Sequence, residues 1–277
     1  MEMKIGRGLV EARRLAVEHW RVLLVYVGLG VVFPFLFLSS DPIFSLRNIM
    51  AIVSDPWTNR VGGSITGPLY LLGIVAVITA GAMLAAWSAI QAEIREGYVG
   101  ELMYGMVAGF AYLIANIVLV ILAGLIATIP LFILGPEVLL GGNKAMLIGI
   151  EIYRFLTSLV GGWVGARLCL AGAIMGGRGK LEPVSAFIES WRRTRSAQWR
   201  LYGFYLLYGV AFAIPFAGLA MLHGAIIMTN DPGSLLETLM SFGWVLLLAL
   251  YFLGQILIPA GLYRASESTV QAREVFA

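Results

Sequence analysis

The side chains with most capacity for chemistry in this sequence are two histidines, one cysteine and three charges inside apolar runs: His19, His223, Cys169, Glu151, Arg154 and Arg167. His19 falls in a basic amphipathic segment and His223 near the far end of a long apolar run. They belong on opposite faces of a membrane and cannot share a metal. Cys169 has no second cysteine to join, so neither a disulfide framework nor a thiol–metal cluster is available. The sequence holds no H-E-x-x-H, no G-x-S-x-G, no P-loop and no G-x-G-x-x-G opening a helix after a strand. Gly176-Gly177-Arg178-Gly179 falls in a turn before an amphipathic segment and reads as interface flexibility, not a phosphate cradle. The expectation is a chain with no catalytic residue, no metal and no cofactor.

Charges inside apolar runs are costly and are functional candidates by default. Glu151 and Arg154 stand three residues apart and can pair on one helix face as a snorkelling ion pair near the outer end of their run. Arg167 lies a few turns from the other end of the same run. There a guanidinium needs a carbonyl, a carboxylate or a lipid phosphate, so it either ties helix ends together or contacts a headgroup. Asn116 reads as an interhelical hydrogen bonder.

The elements that carry these residues follow from composition. Of 277 residues, 60% are hydrophobic and 13% charged, with mean hydropathy +0.87. A soluble domain is about half apolar and about a quarter charged, so the excess belongs in hydrocarbon. Six runs approach or exceed the roughly 20 residues a span requires. They cover about 22–38, 68–91, 106–134, 145–175, 201–228 and 239–262, and they predict an all-α bundle of about six spans forming a single membrane domain over 1–277. What remains suffices for loops but not for a soluble domain. The first run has no small-residue cleavage site after it and reads as a retained span, not a removable signal peptide. Pro130, Pro215 and Pro259 predict kinks whose freed carbonyls neighbours must satisfy. Gly161, Gly162, Gly165 and Ala166 predict close helix approach.

Lys and Arg fix the orientation. Fourteen of them lie before span one, between spans two and three, between spans four and five, and after span six; Arg47, Arg60 and Lys144 alone lie on the opposite side. That bias predicts both termini in the cytoplasm. Two segments on the basic side are amphipathic without being spans. In 4–20, Ile5, Leu9, Ala12, Ala16 and Trp20 share a helical spacing, with Arg7, Glu11, Arg14 and Glu18 elsewhere. In 183–199, Val184, Phe187, Ile188, Trp191 and Trp199 do the same, with Glu189, Arg192, Arg193 and Gln198 on the rest and Pro183 at a first helical position. Basic amphipathic helices edged by Trp are expected in the headgroup layer.

The two segments also repeat one another. A shift of 179 residues aligns Arg13-Arg14 with Arg192-Arg193, Trp20-Arg21 with Trp199-Arg200, and Tyr26, Gly30, Val31 and Phe33 with Tyr205, Gly209, Val210 and Phe212. The repeat suggests a unit of interfacial helix, span and return span used three times, so that the bundle is three hairpins. The middle copy would begin near Glu93–Tyr104 with its amphipathic element shortened.

Four stretches together resemble one family: Arg167-Leu168-Cys169-Leu170-Ala171, Leu181-Glu182-Pro183-Val184-Ser185-Ala186-Phe187, Glu189-Ser190-Trp191-Arg192-Arg193-Thr194-Arg195 and Trp199-Arg200-Leu201-Tyr202-Gly203. They are similar to the membrane domain found with glycerophosphoryl diester phosphodiesterases and in stand-alone bacterial inner-membrane proteins. The match is specific over about 45 residues and departs at Ala173–Gly177, where the family often has Pro and an acidic residue. The resemblance implies a six-span bundle in the bacterial inner membrane. It does not imply phosphodiesterase activity, which in those enzymes belongs to a separate soluble barrel. The function expected is a non-catalytic, multi-pass membrane protein that engages membrane lipids, anionic phospholipid among them, or a membrane or cytoplasmic protein partner, but no nucleic acid. Arg13, Arg14, Trp20, Arg21, Arg167, Arg192, Arg193, Arg195, Trp199 and Arg200 are the candidate contacts. A small transporter or channel component is the alternative, and a membrane-embedded lipid enzyme the second.

Overall fold

Backbone that crosses hydrocarbon must satisfy its own hydrogen bonds, and the apolar runs all do so as helices. The computed structural model describes residues 4–39, 66–92, 96–134, 144–231 and 233–275, and among them there is no strand. Arg47, Arg60 and Arg95 lie outside the described residues. In chain order the helices are α1 (Ile5–Glu18), α2 (Trp20–Val27), a π-helical turn (Gly28–Val32), α3 (Phe33–Ser39), α4 (Thr66–Gln91), α5 (Tyr98–Leu134), α6 (Lys144–Leu168), α7 (Ala171–Arg178), α8 (Pro183–Arg193), a 3₁₀ turn (Arg195–Ala197), α9 (Gln198–Thr229) and α10 (Leu235–Val275).

Six stretches are long and apolar enough to cross a membrane: Trp20–Ser39, Tyr70–Gln91, Tyr98–Ile129, Ile148–Arg178, Arg195–Thr229 and Leu235–Glu267. They match the six expected spans in order and number, and the architecture is an all-α membrane bundle. Two boundaries differ in an informative way. Span three begins at Tyr98, earlier than expected, so Glu101 lies within its first turn. Span four is interrupted at Cys169 and Leu170, between α6 and α7.

Span two is the central post. Gly81 of α4 faces Gly105 and Gly109 of α5, and a Cβ on Gly109 would stand 2.6 Å from the Gly81 nitrogen. Only glycine admits backbones this close. On another side Gly172 of α7 lies against the Trp87 indole, and Gly176 against the Trp87 Cβ and the backbone of Trp87 and Ser88. The close approaches are therefore not those expected in span four: Gly161 and Gly165 have nothing within 4 Å, and Gly162 meets only Tyr202, at 3.4 Å. Glycine content shows that close contacts exist, but which glycines make them depends on how each helix is rotated.

Proline explains two further features. Pro34 has no N–H for the carbonyl four residues back, that of Gly30. The backbone there widens into the π turn, in which the Phe33 N–H reaches Gly28 O. Thr79 Oγ1 of span two donates to the freed Gly30 carbonyl at 3.0 Å. In span six, Pro259 deprives Gln255 O in the same way, and one residue on, Ile256 O accepts the Trp87 indole N–H at 2.9 Å. Spans five and six are joined by rings. Tyr208 stacks on Tyr251 at 5.9 Å, Phe212 meets Tyr251 at 5.3 Å, and Phe216 meets Trp244 at 5.9 Å.

Candidate membrane-surface site

At about 1.5 Å per residue, the 41-residue α10 is about 60 Å long, roughly twice the thickness of bilayer hydrocarbon. Its segment 261–267 is where the two amphipathic helices meet the bundle. The helix α1 crosses it at glycine: a Cβ on Gly261 would collide with Gly8 O and Ala12 N, and one on Gly8 with Leu262. Gly8, Ala12 and Leu15 are buried along this contact. The docked face is thus rotated from the expected Ile5, Leu9, Ala12, Ala16, Trp20 stripe, because the smallest residue sets the crossing. Leu9, Val10, Val17 and Trp20 are left exposed.

On the other side of the same segment stands α8. Its Ala186 and Ser190 are fully buried, while Val184 and Ile188 are exposed, so the expected apolar face is divided between bundle and surroundings. Arg193 joins α8 to α10, donating to Ser266 Oγ at 3.0 Å and lying 5.0 Å over the Tyr263 ring. Around it runs a four-membered ionic lattice. Glu189 pairs with Arg193 at 2.7 Å and with Arg178 at 2.6 Å, and Glu267 lies 3.8 Å from Arg193 and 3.9 Å from Arg178. Tyr263 donates to Glu267 as well. A partly buried network of this kind fixes geometry far better than isolated surface pairs do.

Arg167 is 5% exposed. Its guanidinium donates to Trp191 O and lies 3.7 Å from the Trp191 ring centroid, with Trp163 on another side at 5.5 Å. Its own carbonyl accepts from Ser190 Oγ at 2.7 Å and Thr194 Oγ1 at 3.1 Å, and Ser190 Oγ accepts from Leu170 N–H at 3.2 Å. Ser190 of α8 and Thr194 at its C-cap thereby satisfy the backbone groups released where span four breaks. Arg167 acts here as the latch between span four and α8.

The remaining candidates divide by exposure. Arg13, Arg192, Arg195, Trp199 and Arg200 are exposed, as is Arg14, whose N–H donates to Glu18 at 2.7 Å. That bond holds the Glu18 carboxyl below its usual range. Arg21 lies 5.3 Å over the Trp20 ring, and an open cleft of about 440 Å³ is lined there by Glu18, His19, Trp20, Arg21 and Tyr98. The Glu151–Arg154 pair forms at 3.1 Å with both side chains well exposed. His19 stands at the break between α1 and α2, and His223 lies far along α9, accepting from the Trp244 indole at 2.9 Å.

No family model, curated protein or solved structure matches the chain.

The repeat is preserved in layout and lost in packing. Both copies run an amphipathic helix through a short break in the α-helix into a span, at His19 (φ −116°) and, after the 3₁₀ turn, at Ala197 (φ −119°). Their aligned residues meet different neighbours: Gly30 fits against Phe252, while Gly209 has open space. The middle copy begins partly outside the described residues, and Tyr98 already opens a span there. Three features escaped the sequence reading. Tyr26 donates to the buried Glu101 at 2.6 Å, 75 residues away; Arg264 donates to Ile90 O at 2.7 Å; and Glu267 closes the ionic lattice. Glu189 and Arg193, at i and i+4, were a visible local signal. The others join distant segments.

Proposed function

We propose that the chain is a non-catalytic protein of the bacterial inner membrane, with both termini in the cytoplasm, that binds anionic phospholipid through its two amphipathic helices. The observation that carries this reading is the composition of what those helices leave uncovered. Val10, Val17, Trp20, Val184, Ile188 and Trp199 are exposed beside exposed Arg13, Arg192, Arg195 and Arg200, all around one end of the bundle. Apolar side chains of this kind insert at the headgroup–acyl boundary, and each arginine near an anionic surface contributes about 1 kcal/mol. The lysine and arginine bias along the chain supports the cytoplasmic orientation. The resemblance to the membrane domain of glycerophosphoryl diester phosphodiesterases supports the inner membrane as the location.

The test is thermal stability of the purified protein in nanodiscs of phosphatidylglycerol against nanodiscs of phosphatidylcholine. The wild type is expected to melt several degrees higher in the anionic lipid. Replacing Arg13, Arg192 and Arg195 together by alanine removes most of that difference and leaves the phosphatidylcholine value unchanged, because none of the three belongs to the ionic lattice. Equal melting of the wild type in both lipids sinks the proposal.

A further inference from the structure

Span four carries a polar seam that no described residue covers. Glu151, Arg154, Ser158, Gly161 and Gly165 recur at spacings of three, four, three and four. On a helix they fall within one face about 80° wide. All five are exposed: the ion pair has side chains 70% and 58% accessible, and a Cβ on Gly161 or Gly165 would meet nothing within 4 Å. Other described residues hold the span elsewhere on its circumference, through Tyr153, whose hydroxyl donates to Ile126 O at 2.9 Å, and through Trp163 and Arg167 at α8.

This inverts the usual arrangement. Ionisable and small residues of a span normally face the bundle interior, and apolar ones face lipid. Span four has the lowest mean hydropathy of the six, 1.5 against 2.0 to 2.6, yet it turns its polar seam away from the other described residues of the bundle. The charges on the seam select an occupant for it. The seam carries an acid and a base one turn apart, so it is complementary to itself.

We propose that this face of span four is where two copies of the chain meet as a two-fold dimer. An axis along the membrane normal makes the two copies of span four parallel and brings the same surface of each together. Glu151 of each copy then faces Arg154 of the other, turning the internal pair into a four-membered lattice. Gly161 and Gly165 let the backbones approach, and Ser158 supplies a hydroxyl between the charged and the small portions. The three–four spacing sets a left-handed crossing near 20°. A different partner would need to bring the matching acid and base in the same order; a second copy has both.

The test is the mass of the protein in nanodiscs, with the melting temperature as control. The wild type is expected to be dimeric. Gly161→Leu with Gly165→Leu makes it monomeric without lowering the melting temperature of the chain, since both new side chains enter open space. Glu151→Arg alone and Arg154→Glu alone each weaken the dimer about tenfold, and the two together in one chain restore it. A monomeric wild type, whether alone or with another protein bound to the seam, overturns the proposal. So does a dimer indifferent to the leucine substitutions.

Discussion

Arg167 and Trp191 are 24 residues apart and belong to different helices, yet the guanidinium of one lies on the ring and carbonyl of the other. A desolvated cation–π contact contributes up to about 2 kcal/mol, and a hydrogen bond from a charged donor about as much again. Arg167→Lys keeps the charge but loses the flat, weakly hydrated plane that stacks. The expected result is a loss of about 1–3 kcal/mol, measured by thermal unfolding followed through tryptophan fluorescence. The loss should be equal in anionic and zwitterionic lipid. A loss confined to anionic lipid would mean that Arg167 holds a headgroup. From the sequence, Arg167 was recognisable as a residue needing a partner, because hydrocarbon leaves a guanidinium no other choice. Whether that partner was a carbonyl or a phosphate depended on where α8 folds back.

Among the elements, the bent first span has a cause that can be isolated. Pro34 removes the donor for Gly30 O, and Thr79 supplies another from span two. Thr79→Val should cost about 1 kcal/mol by leaving that carbonyl unpaired. In a Pro34→Ala background the new N–H can reach Gly30 O, so the cost of Thr79→Val should largely vanish. A double-mutant cycle on unfolding free energies reads this coupling; strict additivity would refute the account. The contact of α1 with α10 gives a second test. Gly261→Val places a side chain against Gly8 O and Ala12 N, backbone atoms that cannot give way. The helix α1 should come loose while the spans persist, seen as rapid trypsin cleavage at Arg13 or Arg14 in an otherwise intact protein. Helical periodicity made α1 and α8 legible as amphipathic helices. It did not show which side of each would dock, since an apolar stripe suits a bundle and a headgroup layer equally well.

At the scale of the whole molecule, the amphipathic helices, the ionic lattice and the far part of α10 gather at one end of the bundle. Gly8 against Leu262 and Arg193 against Ser266 fix that arrangement independently of any charge rule. Cysteines placed singly at Gly6 and Glu182, both exposed and at the starts of the two amphipathic helices, with Cys169 replaced by Ala, are therefore expected to react with a membrane-impermeant maleimide from the same face. In sealed cells of the proposed orientation neither should react until the membrane is opened. Labelling of one and not the other would contradict the fold, and labelling of both in sealed cells would reverse only the orientation.

The number and order of the spans were settled by the chain itself, because burying about twenty consecutive apolar residues as helix is the outcome hydrocarbon permits. The existence of two basic amphipathic helices was settled the same way, by spacing. The tertiary structure decided everything that depends on helix rotation and on contacts between distant segments. It chose Gly81, Gly105 and Gly109 as close contacts and left Gly161 and Gly165 open. It made Arg167 a latch, buried Glu101 beside Tyr26, and closed Glu267 onto Arg178 and Arg193. Rotation is governed by the fit of side chains between helices, and a single sequence records those side chains without recording which of them face one another.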